Sequence, residues 1–111
     1  MSESKSHLFD VKLQEQAQIY KALAHPARLQ ILMILSKANS CIPINISNEL
    51  PLGRTTVNQH LKELKNVGLI KSTLCGSKPQ YCLNPLKIME FKQLFEPFIK
   101  QLEQTKAVCC E

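Results

Sequence analysis

At Gly68 the spacing of apolar residues changes from three and four to two, and this change admits very few folds. Ahead of it, Val57, Leu61 and Leu64 recur at i, i+4 and i+7 between Arg54 and Asn66, the core stripe of an amphipathic helix. Behind it, Ile70, Ser72 and Leu74 alternate with Lys71, Thr73 and Cys75. Tyr81 and Leu83 answer them beyond Gly76-Ser77-Lys78-Pro79, which predicts a β-hairpin with a basic tip. Gly68 itself suits the position that ends a helix. If the hairpin pairs symmetrically about Ser77 and Lys78, Leu74 lies opposite Tyr81 on the core face. Lys71, Thr73, Cys75, Gln80 and Cys82 then share the outer face.

The remaining segments read as helices. From about Leu8 to Ala24, Phe9, Leu13, Ala17, Tyr20 and Ala24 recur at helical spacing. This helix should end near His25, because Pro26 disfavours the helical conformation in the residue before it. Pro26 is also suited to the first position of a second helix. That helix runs through ARLQILMILSK and has so little polar face that burial at the centre is expected. Asn39 and Ser40 break the pattern, and the short apolar period of Cys41 to Leu50 suggests one or two helical turns before the tight connection Pro51-Leu52-Gly53. Asn84-Pro85 is a cap followed by a first-turn proline. Beyond it Ile88, Phe91, Phe95, Phe98 and Leu102 form a seam too apolar for an exposed helix, which Pro97 should kink or split. Paired with the first helix, this seam would make a dimer interface.

A helix-turn-helix followed at once by a hairpin is the winged-helix order. The expected fold is therefore mostly α with a β-hairpin wing: a single winged helix-turn-helix domain over residues 1–111. Within it, 44–66 form the helix-turn-helix and 69–84 the wing, and helices 8–24 and 85–106 build a homodimer. A chain of 111 residues has a modest core that a partner subunit often completes.

Charge is concentrated where function would need it. Of the net charge of +5, residues 53–80 hold +4, with Arg54, Lys62, Lys65, Lys71 and Lys78 against Glu63. A basic segment in an otherwise neutral chain suggests a phosphate-facing surface. Thr55, Asn58, Gln59 and Lys62 fall on the helix face opposite the core stripe, with Arg54 at its N-terminal edge. Asn and Gln can present paired donor and acceptor to adenine, Arg can grip guanine, and Thr can reach phosphate or a thymine methyl. No Gly-rich phosphate loop, paired-acid motif or nucleophile elbow points to an enzyme. No apolar run is long enough to span a bilayer, and MSESKSHLFD has no secretory pattern, so a cytoplasmic protein is expected. There the five cysteines would stay reduced, as candidate ligands or sensors.

KALAHPARLQILMIL, TTVNQHLKELKNVGLI and the hairpin ending in YCLNP resemble the arsenic- and metal-sensing repressors of the ArsR/SmtB type, over about residues 17 to 85. The resemblance implies a homodimeric winged helix that binds a palindromic operator in double-stranded DNA, needs no cofactor to do so, and lets go when an inducer binds. Arg54, Thr55, Asn58 and Gln59 match the family's operator-reading positions, and Lys62, Lys71 and Lys78 join them on the basic surface. Arsenic sensors of this type have a Cys-Val-Cys cluster where this chain has Cys41-Ile42-Pro43, so one thiol remains. Zinc sensors place Asp and His on the last helix, but residues 85–108 contain neither. His25 and His60 fall at structural or DNA-proximal positions of the family, and His7 lies in a frayed end. The sensing chemistry left is thiol chemistry, since trivalent arsenic, antimony and soft metals prefer several thiolates. Cys109 and Cys110 are the candidate ligands, with a third from Cys41, or from Cys75 and Cys82. A thiol-redox or sulfide-responsive repressor, or one sensing a soft metal ion, is the alternative.

Overall fold

The computed structural model describes residues 5–38, 42–43, 50–76 and 78–106. A 3-10 turn, Ser6–Leu8, precedes helix α1, Val11–Leu23. The helix starts where it does because Asp10 Oδ1 accepts from the Lys12 N–H at 2.8 Å, an N-cap. Gln16, Ile19 and Ala22 are its buried residues. The stripe that the sequence shows most plainly, Phe9, Leu13 and Ala17, is exposed. The face turned to the core is thus the neighbouring one.

Helix α2, Pro26–Ala38, begins on His25, whose Nδ1 accepts from the Ala27 N–H at 3.0 Å and whose carbonyl accepts from Arg28 and Leu29. Ala27, Ile31 and Leu35 are buried, but Leu29 and Met33, one turn apart, are about half exposed. The expected all-round burial of α2 is therefore corrected, since within one protomer only one side of it is covered.

Strand β1, Ile42–Pro43, stands where helical turns were expected to begin, and residues 44–49, the rest of that expected helix, lie outside the described part. Helix α3, Arg54–Asn66, carries the anticipated stripe, with Val57, Leu61 and Leu64 almost completely buried. It ends in a Schellman arrangement. The Leu69 N–H reaches the Leu64 carbonyl at 3.2 Å and the Gly68 N–H reaches Lys65 at 2.9 Å, with Gly68 at φ +84°. An added Cβ at Gly68 would meet Lys87 Cγ at 3.3 Å. Gly68→Ala should therefore lower the unfolding free energy by about 1–2 kcal/mol, the cost of a left-handed L-residue, as read by urea titration.

Strands β2, Ile70–Cys75, and β3, Lys78–Leu83, pair antiparallel, and the sheet order is β1-β3-β2. The register differs from expectation. Ser72 faces Tyr81 and Leu74 faces Pro79, because the ladder continues to Cys75 opposite Lys78 and leaves only Gly76 and Ser77 between the strands. Gly76, at φ +70°, supplies the left-handed residue that two-residue hairpin loops demand. A shift of two along the partner strand keeps every residue on its face. Lys71, Thr73, Gln80 and Cys82 still share the outer face, but Leu74 no longer lies over Tyr81 and is 73% exposed.

Helix α4, Pro85–Glu103, starts on Asn84, whose Oδ1 accepts from the Lys87 N–H. It continues through Pro97 without division, which corrects the expected split. Pro97 and Gln93, the residue whose carbonyl loses its helical donor, are both exposed, so that carbonyl can turn to water. No residue of α4 is buried. Its contact with α1 is aromatic: the Tyr20 ring lies 5.9, 6.1 and 6.2 Å from those of Phe91, Phe95 and Phe98. The core of Ile31, Val57, Leu61, Leu64 and Ile70 sits between α2, α3 and the wing, with Ile19 of α1 in it and Ile88, Phe91 and Leu94 of α4 packed against it. The radius of gyration is 17.2 Å, against about 13 Å for a compact chain of this length. One protomer is an open shape with an apolar flank.

Candidate nucleic-acid interface

The reader face is built by the burial of its opposite side. With Val57, Leu61 and Leu64 locked inward, helical geometry turns Arg54, Thr55, Gln59 and Lys62 outward, and all four are exposed. The first turn of α3 has neither a side-chain cap nor an acid. Its free N–H groups and positive dipole end stay open to an anion beside Arg54. Asn58 is placed differently from its neighbours. It is half-buried, and its Oδ1 is enclosed with no hydrogen-bond partner. Gln59 is thus the residue that presents a complete amide, while Asn58 forms the edge of the face.

Lys71 is exposed on β2 and Lys65 on α3, so the basic surface extends from the reader to the wing. Lys78 is in β3 by its backbone, and its side chain lies outside the described part.

Behind the reader the structure assembles a cluster that the sequence pattern did not single out. Arg28 Nε donates to His60 Nδ1 at 3.1 Å, and its Nη1 donates to the carbonyls of Lys21 and Ala22 at 3.3 and 3.2 Å. One guanidinium thereby joins the end of α1, the first turn of α2 and the middle of α3. The His25 ring stands 4.2 Å from that of His60. In the sequence, Arg28 stands two residues beyond Pro26 in the first turn of α2, and its partner His60 is 32 positions away.

His60 is 7% exposed, and its pKa is lowered, first by burial and then by the nearby His25 and Arg28, with Glu63 opposing. The neutral ring is the form that accepts from Arg28, whereas imidazolium has no acceptor. Since the folded-state pKa lies below the unfolded value near 6.5, this contribution is complete above that pH. It is lost as acid protonates the unfolded chain first. Urea titrations should show stability falling from pH 7.5 to 5.5, with a shallower fall in His60→Asn, whose side-chain oxygen takes the place of Nδ1. Equal slopes in both proteins would assign the acid sensitivity elsewhere.

Cys41, Cys109 and Cys110 lie outside the described residues, and Cys75 is described by its backbone alone. Cys82 is disulfide-bonded, where a reduced thiol was expected. By backbone, Cys75 pairs with Lys78 and Cys82 with Lys71, at the two ends of the hairpin ladder. Among the described residues no three His, Cys, Asp or Glu side chains are grouped to hold a metal. Among them, too, no helix is long and apolar enough to cross a membrane.

The model of the bacterial regulatory protein, arsR family, matches residues 25–72, which run from the His25 cap through α3 to the start of the wing. An uncharacterized HTH-type transcriptional regulator of Methanocaldococcus jannaschii is 31% identical over 85 residues, 77% of this chain and 96% of its own. The transcriptional repressor PagR of Bacillus anthracis is 30% identical, over 78% of this chain and 87% of its own. Among solved structures, a homodimeric winged helix-turn-helix DNA-binding domain from Mycobacterium bovis superposes with a TM-score of 0.63 at 24% identity, over 97% of this chain and 98% of that one. The chain belongs to the ArsR family of bacterial regulatory proteins, and is a winged helix-turn-helix DNA-binding transcriptional regulator, not an enzyme.

Proposed function

We propose that this chain acts as a homodimeric repressor whose two α3 helices enter successive major grooves of a palindromic operator while the wings lie on the adjacent backbone. A thiol-reactive inducer, arsenite or antimonite foremost, releases it. The observation that carries the DNA-binding half is the joint exposure of Arg54, Thr55, Gln59 and Lys62 on a helix whose other side is locked in the core. Such a face is rigid before it meets DNA, so little ordering cost accompanies binding. Dimerisation through α1 and α4 is supported by the exposure of Phe9, Leu13, Phe95, Phe98 and Leu102, and by the homodimeric relative of known structure. No cofactor takes part in these contacts, and the cytoplasm, with its DNA, is the proposed compartment.

The inducer half rests on thiol chemistry, with Cys109, Cys110 and Cys41 as the proposed arsenic ligands. The disulfide at Cys82 favours a second reading, thiol oxidation, over the sensing of a soft metal ion. Operator binding followed by fluorescence anisotropy, with arsenite, antimonite, zinc, cadmium and hydrogen peroxide added in turn to reduced protein, separates these readings. Arsenite and antimonite should release the DNA and zinc should not. Release by peroxide alone would replace the metalloid by an oxidant, and release by none would leave a repressor without a thiol inducer.

A further inference from the structure

The side-chain bond that ties the reader to the rest of the subunit depends on a single lone pair. Arg28 Nε donates to His60 Nδ1 at 3.1 Å, while its Nη1 holds the Lys21 and Ala22 carbonyls at the end of α1. That acceptor exists only on a neutral imidazole. A proton on Nδ1 sets donor against donor and cation against cation across the same 3.1 Å. His25 sharpens the conflict, since its ring packs 4.2 Å from that of His60 while its own Nδ1 is engaged by the Ala27 N–H. Among the described residues, the titratable and charged groups that act on His60 are His25 and Arg28 at the start of α2 and Glu63 on α3. Glu63 alone favours the charged ring. At 7% exposure the ring has almost no water to replace a lost partner, so an imidazolium there must move away from Arg28.

We propose that the Arg28–His60 bond is an acid-released latch: proton uptake at His60 detaches the reader helix α3 from the end of α1 and the start of α2, and the repressor leaves its operator. The proposal rests on the repressor reading above and adds to it a signal, the hydrogen ion, that involves none of the cysteines. The neutral ring carries its one proton on Nε2. It takes a second from hydronium at Nδ1, leaving water, and gives it back to water when the pH rises.

The latch is placed to act on DNA binding. His60 is buried on the inner side of the helix whose outer side carries Arg54, Thr55, Gln59 and Lys62, so a shift of α3 against α2 moves all four together. Binding requires the neutral ring. Affinity is therefore complete above the folded-state pKa, which burial first and then His25 and Arg28 hold below 6.5, and it falls as the pH drops through that value. With one latch in each subunit, log affinity approaches a slope of about one per pH unit per protomer. Acid has the opposite effect on bulk electrostatics, since any positive charge gained elsewhere tightens phosphate contacts. The sign of the pH effect thus separates the latch from general charging.

The test uses the full-length chain and a labelled duplex enriched from a random pool at pH 7.5. At fixed ionic strength the wild type should bind that duplex about tenfold or more weakly at pH 5 than at pH 7.5, and recover fully on return. His60→Asn, whose side-chain oxygen accepts from Arg28 at either pH, should keep its affinity in acid. Arg28→Ala, which has no latch, should bind at both pH values as weakly as the wild type does at pH 5. Equal or tighter wild-type binding at pH 5, or the same acid loss in His60→Asn, overturns the proposal. So does loss of native circular dichroism at pH 5, which would make the effect global unfolding. In nitrogen-15 NMR spectra the Arg28 Nε–H should be protected from exchange at pH 7.5, and at pH 5 that protection should vanish in the wild type and persist in His60→Asn. Protection that persists in the wild type once the His60 ring has titrated overturns the latch. If the protein enriches no duplex at pH 7.5, the repressor reading fails, while the NMR titration still decides whether the latch opens.

Discussion

Replacing Phe95 by aspartate should leave the protein monomeric. In the protomer the Phe95 ring stacks at 5.6 Å on Phe91 and meets Tyr20 edge-on, yet 38% of it remains exposed on the flank shared with Phe98 and Leu102. In a dimer built through α1 and α4 that remainder is covered, and an unpaired carboxylate there costs several kcal/mol in each protomer. A loss of about 4 kcal/mol weakens association roughly a thousandfold, well within reach of sedimentation equilibrium. Since Phe95→Asp also disturbs the ring cluster, Leu102→Asp serves as the companion variant, its side chain being 56% exposed in the protomer. Monomer formation in both, with native far-UV circular dichroism, places the interface on this flank. An intact dimer in both moves it to another surface.

The reader predicts an effect of comparable size. Arg54→Ala and Gln59→Ala should each weaken operator binding by about 1–3 kcal/mol per half-site, the range for loss of a bidentate base contact. Gln59→Ala should leave non-specific binding intact, because a neutral amide releases no counterions. Lys71→Ala, by contrast, should weaken all sequences alike and reduce the slope of log affinity against log salt by roughly one per protomer. Asn58→Ala should cost less than Gln59→Ala, because its carbonyl oxygen is already enclosed by protein. Unchanged operator discrimination in Gln59→Ala would remove α3 as the reader.

The parts of this molecule that were readable in advance are those fixed by local chemistry. Val57, Leu61 and Leu64 gave the inner side of α3, Asn84-Pro85 the start of α4 and Gly68 the end of the reader, each through a rule spanning a few residues. What escaped depends on contacts distant in sequence. β1 is only two residues long and exists because Tyr81 and Gln80 of β3 offer it an edge, which no periodicity near Ile42 can show. The hairpin register was missed because Gly76-Ser77-Lys78-Pro79 reads as a four-residue loop unless Lys78 is known to pair with Cys75. Arg28 and His60 are 32 positions apart, so their bond was invisible until α2 packed on α3. Asn58 and Gln59 look interchangeable as letters, and only packing turns one amide oxygen inward.

The Arg28 fork limits what kind of message this molecule can transmit. By holding the last carbonyls of α1 and a ring of α3 with one planar group, it fixes the pitch of the reader relative to the proposed subunit-joining helix. Within each subunit the two then turn as a single lever, so a disturbance at the dimer flank reaches the DNA undiminished, as a rotation of one whole reader against the other. Such a lever alters the distance and angle between two grooves without altering which bases either reader prefers. An inducer acting through the dimer flank should therefore change the spacing between half-sites that the dimer accepts, while the sequence preferred within each half-site stays the same.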